Sequence, residues 1–395
     1  MNQLFNLSDL ITFQIPSKII FGNGSIKKIG EEVANTFGGK KVLMVTDKGV
    51  MDAGLTKEAT NALRENGLEV TVFDKVVPDP LISTVMKGVE FAKKEETDII
   101  FGIGGGSSLD TAKAISVMVP YEGDIRDCLG MNRVKKRGLP KVLVPTTGGT
   151  GSEVSAGCIL TDDQTGNKIN SFSQYFLSDL SIIDPTLTLS LPQNVTRESG
   201  MDAFSHALEA FVCVRANPLS DLFAQRAIEC ISQNIRKAYT SGIHNLEARY
   251  WMCFGAIMGI LAMRASGGGM IHATSYPPAM KYHLTHGMAV SIVMPYVMEF
   301  NLVGNPEKHA AVASAMGEKV SHLSALDGAR AAVETVKKLL SDLGFPTNLK
   351  EVGVDKKDLP EFAKIAISYN FNVANNPRKV TEQDVLQIYE SAWDR

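Results

Sequence analysis

The first half of the chain alternates short apolar runs with amphipathic stretches, while the second half carries almost only the latter. Lys41-Val42-Leu43-Met44-Val45-Thr46-Asp47 is a near-continuous apolar run, the pattern of a strand buried on both faces of a parallel sheet. Further strands are predicted over 69–73, 97–103 and 142–145, and the run from Ile182 to Pro192 closes this part. Residues 11–21 alternate like a hairpin strand pair broken at Pro16, and Gly22-Asn23-Gly24-Ser25 turns the chain into a short helix from Ile26. Helical periods over 55–66, up to Lys94 and after Gly104 separate the strands, which predicts a doubly wound parallel sheet. From Asn194 onward strand signals nearly vanish. Helical patterns run through 196–214, 217–238, 246–265, 305–317, 325–343 and 381–391. With 395 residues, two domains are expected: an α/β domain over 1–190 and a helical domain over 191–395.

Composition narrows the function classes. Hydrophobic residues make up 44% and charged residues 21%, ordinary for a soluble globular protein. A net charge of −3 without a basic block argues against a nucleic-acid surface. The five cysteines, Cys128, Cys158, Cys213, Cys230 and Cys253, are scattered and form no Cys-x-x-Cys pair, so neither a disulfide framework nor a structural zinc site is expected. The N-terminus shows no basic segment followed by an apolar run, and the longest apolar run, Trp251 to Met263, is too short to span a bilayer. A cytoplasmic protein without a membrane partner is the expectation.

Two features carry chemistry. Asp202 and His206 stand four residues apart, on a different helical face from Met201, Phe204, Leu208, Phe211 and Val212. A carboxylate and an imidazole so stacked can share one divalent metal, although alone the pair more often marks a solvated face. The segment from Gly267 to Gly287 shifts the balance. It holds three of the chain's seven histidines, His272, His283 and His286, and two of them, His272 and His286, could complete a shell of one carboxylate and three imidazoles. The second feature is a pair of loops. Gly104-Gly105-Gly106-Ser107-Ser108 joins a strand to a helix, where free N–H groups favour an anion. Thr146-Thr147-Gly148-Gly149-Thr150-Gly151-Ser152-Glu153 follows a second strand in the same way. Two such loops in one α/β domain fit a dinucleotide.

The combination of Gly104-Gly105-Gly106-Ser107-x-x-Asp110-x-x-Lys113, Pro145-Thr146-Thr147-x-x-Thr150-x-Ser152-Glu153, Gly200-Met201-Asp202-x-x-x-His206-x-x-Glu209 and the His272…His286-Gly287 pair resembles the iron-dependent (group III) alcohol dehydrogenases. The resemblance covers most of the chain, in order. It implies a Rossmann-like N-terminal domain and an all-helical C-terminal metal domain of the dehydroquinate-synthase-like kind, with the active site in the cleft between them. It makes Asp202, His206, His272 and His286 ligands of Fe²⁺, or alternatively Zn²⁺. It lines the NAD pyrophosphate site with Gly104, Gly105, Gly106, Ser107 and Asp110, together with Thr146, Thr147 and Thr150. Lys168 matches a lysine near the cofactor, and Asp47 matches an acid that holds the adenosine ribose hydroxyls.

One departure stands out. Many relatives carry His-x-x-x-His-Pro, whereas this chain has Ser275-Tyr276-Pro277. The Ser-Tyr-Pro branch suggests small anionic aldehydes, such as succinate semialdehyde, phosphonoacetaldehyde or sulfoacetaldehyde. Tyr276 or His283 is then the candidate proton relay. The expected activity is hydride transfer between NAD(H) and a small aldehyde or primary alcohol, in a homodimer or higher homo-oligomer. The alternatives are a glycerol-dehydrogenase-like zinc polyol dehydrogenase, a dehydroquinate-synthase-like enzyme on the same fold, or a metal- or nucleotide-binding regulator without turnover.

Overall fold

A computed structural model describes residues 10–394. The expected lack of a leader segment rests on residues 1–9, outside the described residues. Contacts divide the chain into Gln14–Ser190 and Leu191–Arg395, with residues 10–13 joining the second unit. That short segment departs from the expected domain division because Phe13 stacks on Phe223 of the helical unit at 5.7 Å.

In the first unit the elements run β1 (Lys18–Phe21), α1 (Ile29–Thr36), β2 (Lys41–Val45), α2 (Lys48–Asp52), α3 (Thr56–Glu65), β3 (Glu69–Phe73) and α4 (Ile82–Lys94). They continue through β4 (Ile99–Gly104), α5 (Gly106–Met118), β5 (Lys141–Pro145), β6 (Gly157–Thr161), β7 (Lys168–Phe172) and β8 (Leu180–Ile183). Six strands form one parallel sheet in the order β1-β8-β5-β4-β2-β3. Alternate side chains of the central strands feed two cores. Leu43, Val45, Ile100 and Leu143 meet Val85, Leu109 and Ile115, while Val42, Met44, Phe101 and Val144 meet Ile29, Val33 and Leu63. The chain moves outward from β2 to β3, then returns to β4 and proceeds the other way. The switch therefore lies between β2 and β4, at whose carboxyl ends such sheets bind ligands.

Two local expectations fail here. Residues 11–21 form no hairpin: only Lys18–Phe21 is extended, as a parallel edge strand on β8. Residues 157–172, for which no strand was expected, form an antiparallel hairpin. Its turn closes through Asp162 N–H to Asn167 and Gly166 N–H to the Asp162 carbonyl.

The second unit is helical: α6 (Gln193–Val212), α7 (Pro218–Ser241), α8 (Leu246–Ser266), α9 (Met270–Tyr282), α10 (His286–Asn301), α11 (Pro306–Ala315), α12 (Ala325–Asp342), α13 (Leu359–Ile367), α14 (Asn370–Ala374) and α15 (Glu382–Asp394). Helix α6 is buried on every side from Gly200 to Val212, so Asp202 and His206 do not lie on a solvated face. Gly259 of α8 permits this closeness, since a Cβ there would stand 2.7 Å from the Ala203 carbonyl.

A proline pair ordinarily ends a helix. Instead Pro277 and Pro278 lie inside α9. Pro278 lacks the N–H that would bond the Thr274 carbonyl, and the buried Tyr389 hydroxyl donates to that carbonyl at 2.7 Å. The apolar run read as too short for a bilayer belongs to a 21-residue helix, α8, and the stretch His286–Gly304 is similarly apolar. They are 61% and 67% buried within the structure, the condition of core helices.

Candidate functional site

In the second unit, α6 presents Asp202, His206 and Glu209 at i, i+4 and i+7, and hence along one stripe. Helix α9 brings His272 against them and the first residue of α10 brings His286. The ligand atoms of Asp202, His206 and His272 all lie within 4.8 Å of one another. One oxygen, Asp202 Oδ1, stands 3.6 Å from His206 Nε2, 3.8 Å from His272 Nε2 and 3.3 Å from His286 Nε2. His286 is the most exposed of the four, which puts it on the open side. The His206 and His272 rings are stacked, 5.1 Å between centroids.

Asp202 Oδ1 and His272 Nε2 are buried without any hydrogen-bond partner. Unsatisfied buried polar atoms are costly, so a convergent pair of them asks for an occupant. Bonds of about 2.1 Å to a tetrahedral divalent metal imply donor separations of roughly 3.4 Å. The observed spacings fit that. Burial pushes the Asp202 carboxyl up, but the facing His206 and His286 outweigh it and hold it well below the usual carboxylate range. Burial lowers His206 to about 4 against the pull of Asp202, which leaves a neutral imidazole suited to a metal.

Glu209 was quoted in the motif but given no role in the expected site. It is as buried as Asp202, His206 and His272, and its Oε2 lies 2.6 Å from His272 Nδ1. Its Oε1 accepts the N–H groups of Ile271 and His272 at the start of α9. The i, i+4, i+7 spacing from Asp202 was the signal available. Tyr369 was also missed. It packs 5.2 Å from Tyr276, whose ring stacks on His286 at 5.8 Å. No sequence pattern links residue 369 to residue 276. His283 is not gathered in. It is exposed, in a left-handed conformation (φ 52°) as the C-cap of α9.

In the first unit the two loops lie side by side. Gly104 pairs in register with Pro145, and Thr146 N–H donates to the Gly104 carbonyl at 2.9 Å. Gly104 has φ 149°, and a Cβ there would sit 2.7 Å from Ser108. Only glycine suits that strand-to-helix turn. Gly105 and Gly106 face Thr147 and Thr150, whose methyl groups would meet added Cβ atoms at 3.6 and 2.8 Å. No side chain caps α5, so its first N–H groups, beside Ser107, are open to an anion. Asp47 stands at the end of β2, on the other side of the switch. It accepts Val50 N–H at 3.0 Å and the Ser108 hydroxyl at 3.0 Å.

Two expected cofactor residues are engaged elsewhere. Asp110 receives Ser152 and Lys113 on one oxygen and Ile159 N–H on the other. It clips α5 to the segment after β5, and a carboxylate turned toward a pyrophosphate would repel it. Lys168, on β7, pairs with Asp79 at 2.6 Å.

Models of the "Iron-containing alcohol dehydrogenase" and the "Fe-containing alcohol dehydrogenase family, C-terminal" match residues 16–185 and 196–393. The chain is 36% identical to the 1,3-propanediol dehydrogenase of Klebsiella pneumoniae, over 97% of this chain and 99% of that one. It is 35% identical to the sulfoacetaldehyde reductase of Bilophila wadsworthia, over 95% and 97%. Among solved structures, a 1,3-propanediol oxidoreductase superposes with TM-score 0.95 at 37% identity, covering 98% of this chain and 100% of that one. The sulfoacetaldehyde reductase of Bifidobacterium kashiwanohense in complex with NAD⁺ gives 0.87 at 28%, covering 98% and 100%. A six-stranded parallel sheet with paired glycine loops, a helical unit with one carboxylate facing three imidazoles, and matches along nearly the whole sequence make one assignment: the chain belongs to the iron-containing alcohol dehydrogenases, a family of NAD-linked oxidoreductases.

Proposed function

We propose that the chain reduces small aldehydes and oxidises the matching primary alcohols, using NAD(H) and one divalent metal, Fe²⁺ or Zn²⁺, and that the preferred aldehyde carries an anionic group. The observation that carries the reading is the convergence of three imidazole nitrogens on a buried Asp202 oxygen that has no other partner.

Asp202, His206, His272 and His286 hold the metal. A metal there supplies Lewis acidity at the substrate oxygen, and the nicotinamide supplies or takes the hydride. Gly104, Gly105, Gly106, Ser107, Thr146, Thr147 and Thr150 cradle the pyrophosphate, drawing on the open N–H groups of α5. Asp47 accepts the ribose hydroxyls, and its charge disfavours a 2′-phosphate. Tyr276, half-buried against His286 and Tyr369, borders the substrate. Its phenol donates one hydrogen bond to the substrate anion.

The decisive assay follows reduced-nicotinamide absorbance after Fe²⁺ or Zn²⁺ reconstitution, with paired anionic and uncharged aldehydes and with NADH and NADPH. Turnover with no aldehyde would sink the enzymatic reading. Equal turnover of charged and uncharged aldehydes would leave the activity and remove the anionic preference. An uncharged diol product is the second reading, favoured by the propanediol relative being as similar as the sulfoacetaldehyde one.

A further inference from the structure

We infer that Glu209 is a positioning residue for the metal centre. It fixes His272 as the Nδ1–H tautomer, so that Nε2 presents its lone pair to the metal, and it supplies the second negative charge that makes a buried divalent site neutral. The inference rests on the metal-site reading above.

Three donors meet this one carboxylate. His272 Nδ1 lies 2.6 Å from Oε2, and the Ile271 and His272 N–H groups lie 2.5 and 3.2 Å from Oε1. A lone pair on Nδ1 would face a carboxylate oxygen at 2.6 Å, so Nδ1 carries the proton and Nε2 is left free. Nε2 is indeed buried without a hydrogen-bond partner, 3.8 Å from Asp202 Oδ1. The backbone holds the carboxylate in place. It sits at the N-terminus of α9, where a negative charge is favoured. Gly269 makes room for it, since a Cβ there would stand 3.2 Å from Oε1. Charge balance points the same way. Asp202 and Glu209 are both buried, and Glu209 is surrounded by N–H donors, the setting of an ionised carboxylate. Two carboxylates balance one divalent cation, and removing either charge leaves a buried positive excess.

The test is zinc binding by the full chain, measured by competition with a chromophoric chelator. Glu209→Gln keeps the shape but offers one acceptor oxygen to three N–H donors. It is expected to weaken zinc affinity roughly 10- to 100-fold, the usual scale for loss of a ligand's outer partner. Asn372→Ala removes a different hydrogen bond on the same loop, Asn372 to the Gly269 carbonyl at 2.9 Å, without touching His272. It is expected to change zinc affinity less than about threefold. Zinc affinity of Glu209→Gln within threefold of the parent overturns the inference and leaves the metal site standing. Equal losses in both variants assign the effect to the loop and also overturn it. A parent chain that binds no zinc or iron overturns the metal-site reading with it. If Glu209→Gln does not fold, nitrogen-15 spectra of labelled histidine in the zinc-loaded parent decide: Nδ1 protonated with zinc on Nε2 is the expected state, and zinc on Nδ1 of His272 overturns it.

Discussion

The two units build their candidate sites from opposite materials. In the sheet unit the ligand-facing groups are backbone: the open amides of α5, reached because Gly104, Gly105 and Gly106 carry no side chains. In the helical unit, by contrast, side chains from α6, α9 and α10 converge on one point. The first site is broken by adding atoms and the second by deleting them. Buried acids differ in the same way. Glu153, in the second loop, has one carboxyl oxygen with no partner, and burial pushes it up to about 7, offset partly by its own N–H and Lys113. Glu209 is equally buried, but the imidazole and amides facing it outweigh burial and hold it low. Burial alone sets neither value; the donors supplied decide the sign.

The largest effect should come from deletion in the helical unit. His206→Ala and His272→Ala are each expected to lose metal, by more than the roughly hundredfold that an outer partner costs, with the fold retained. Full metal occupancy by elemental analysis would show that these side chains are not ligands. In the sheet unit, Gly104→Ala adds one methyl at φ 149° against Ser108. Strain of about 1–3 kcal/mol is expected, read as a roughly 10- to 100-fold weaker NADH affinity or as lost stability. An unchanged NADH titration with unchanged melting would erase the contrast between the units.

Tyr276→Phe should leave metal and NADH binding intact and lower kcat/KM for an anionic aldehyde by roughly one to two decades, the scale of one charge-assisted hydrogen bond. An equal fall with an uncharged aldehyde would point to proton relay instead. Asp47→Asn keeps an acceptor for Val50 N–H and removes the charge. It should raise the NADPH-to-NADH ratio of kcat/KM by about tenfold, near 1.4 kcal/mol. A parent that already uses both equally would remove Asp47 from the ribose site.

The smallest effect concerns Glu153. Its folded pKa stands above the unfolded value of 4.5, so between 4.5 and about 7 the folded chain keeps a proton that the unfolded chain has lost. Stability therefore declines as pH rises through that window. Glu153→Gln should flatten the decline between pH 5 and pH 8, seen as a few degrees in Tm. A melting profile with the same slope in parent and variant would show that Glu153 is not buried uncharged.

This division also explains what the sequence made legible. The glycine loops are contiguous, so their chemistry stands in one stretch, and the Asp202–His206 pair is fixed by helical period alone. What depended on distant partners was hidden. Pro277 and Pro278 look like a helix end until Tyr389 is known to take the Thr274 carbonyl. Asp110 looks like a pyrophosphate residue until Ser152 and Ile159 are seen to occupy it. Tyr369 has no local pattern at all. The motif residue Glu209 was in plain view, but its role depends on where α9 begins, and the Gly267–Gly269 turn does not reveal that by itself.

The Tyr389 hydroxyl has one more consequence, for the order in which the protein is made. It satisfies a carbonyl in α9, two residues from His272, yet lies 115 residues later in the chain. At elongation rates of about 5–20 residues per second, roughly 6–23 seconds separate the two during synthesis. Through that interval Asp202 and His206 have left the ribosome while the helix bearing their third partner lacks its brace. The brace that completes the helix bearing His272 is therefore among the last parts of the chain to be made.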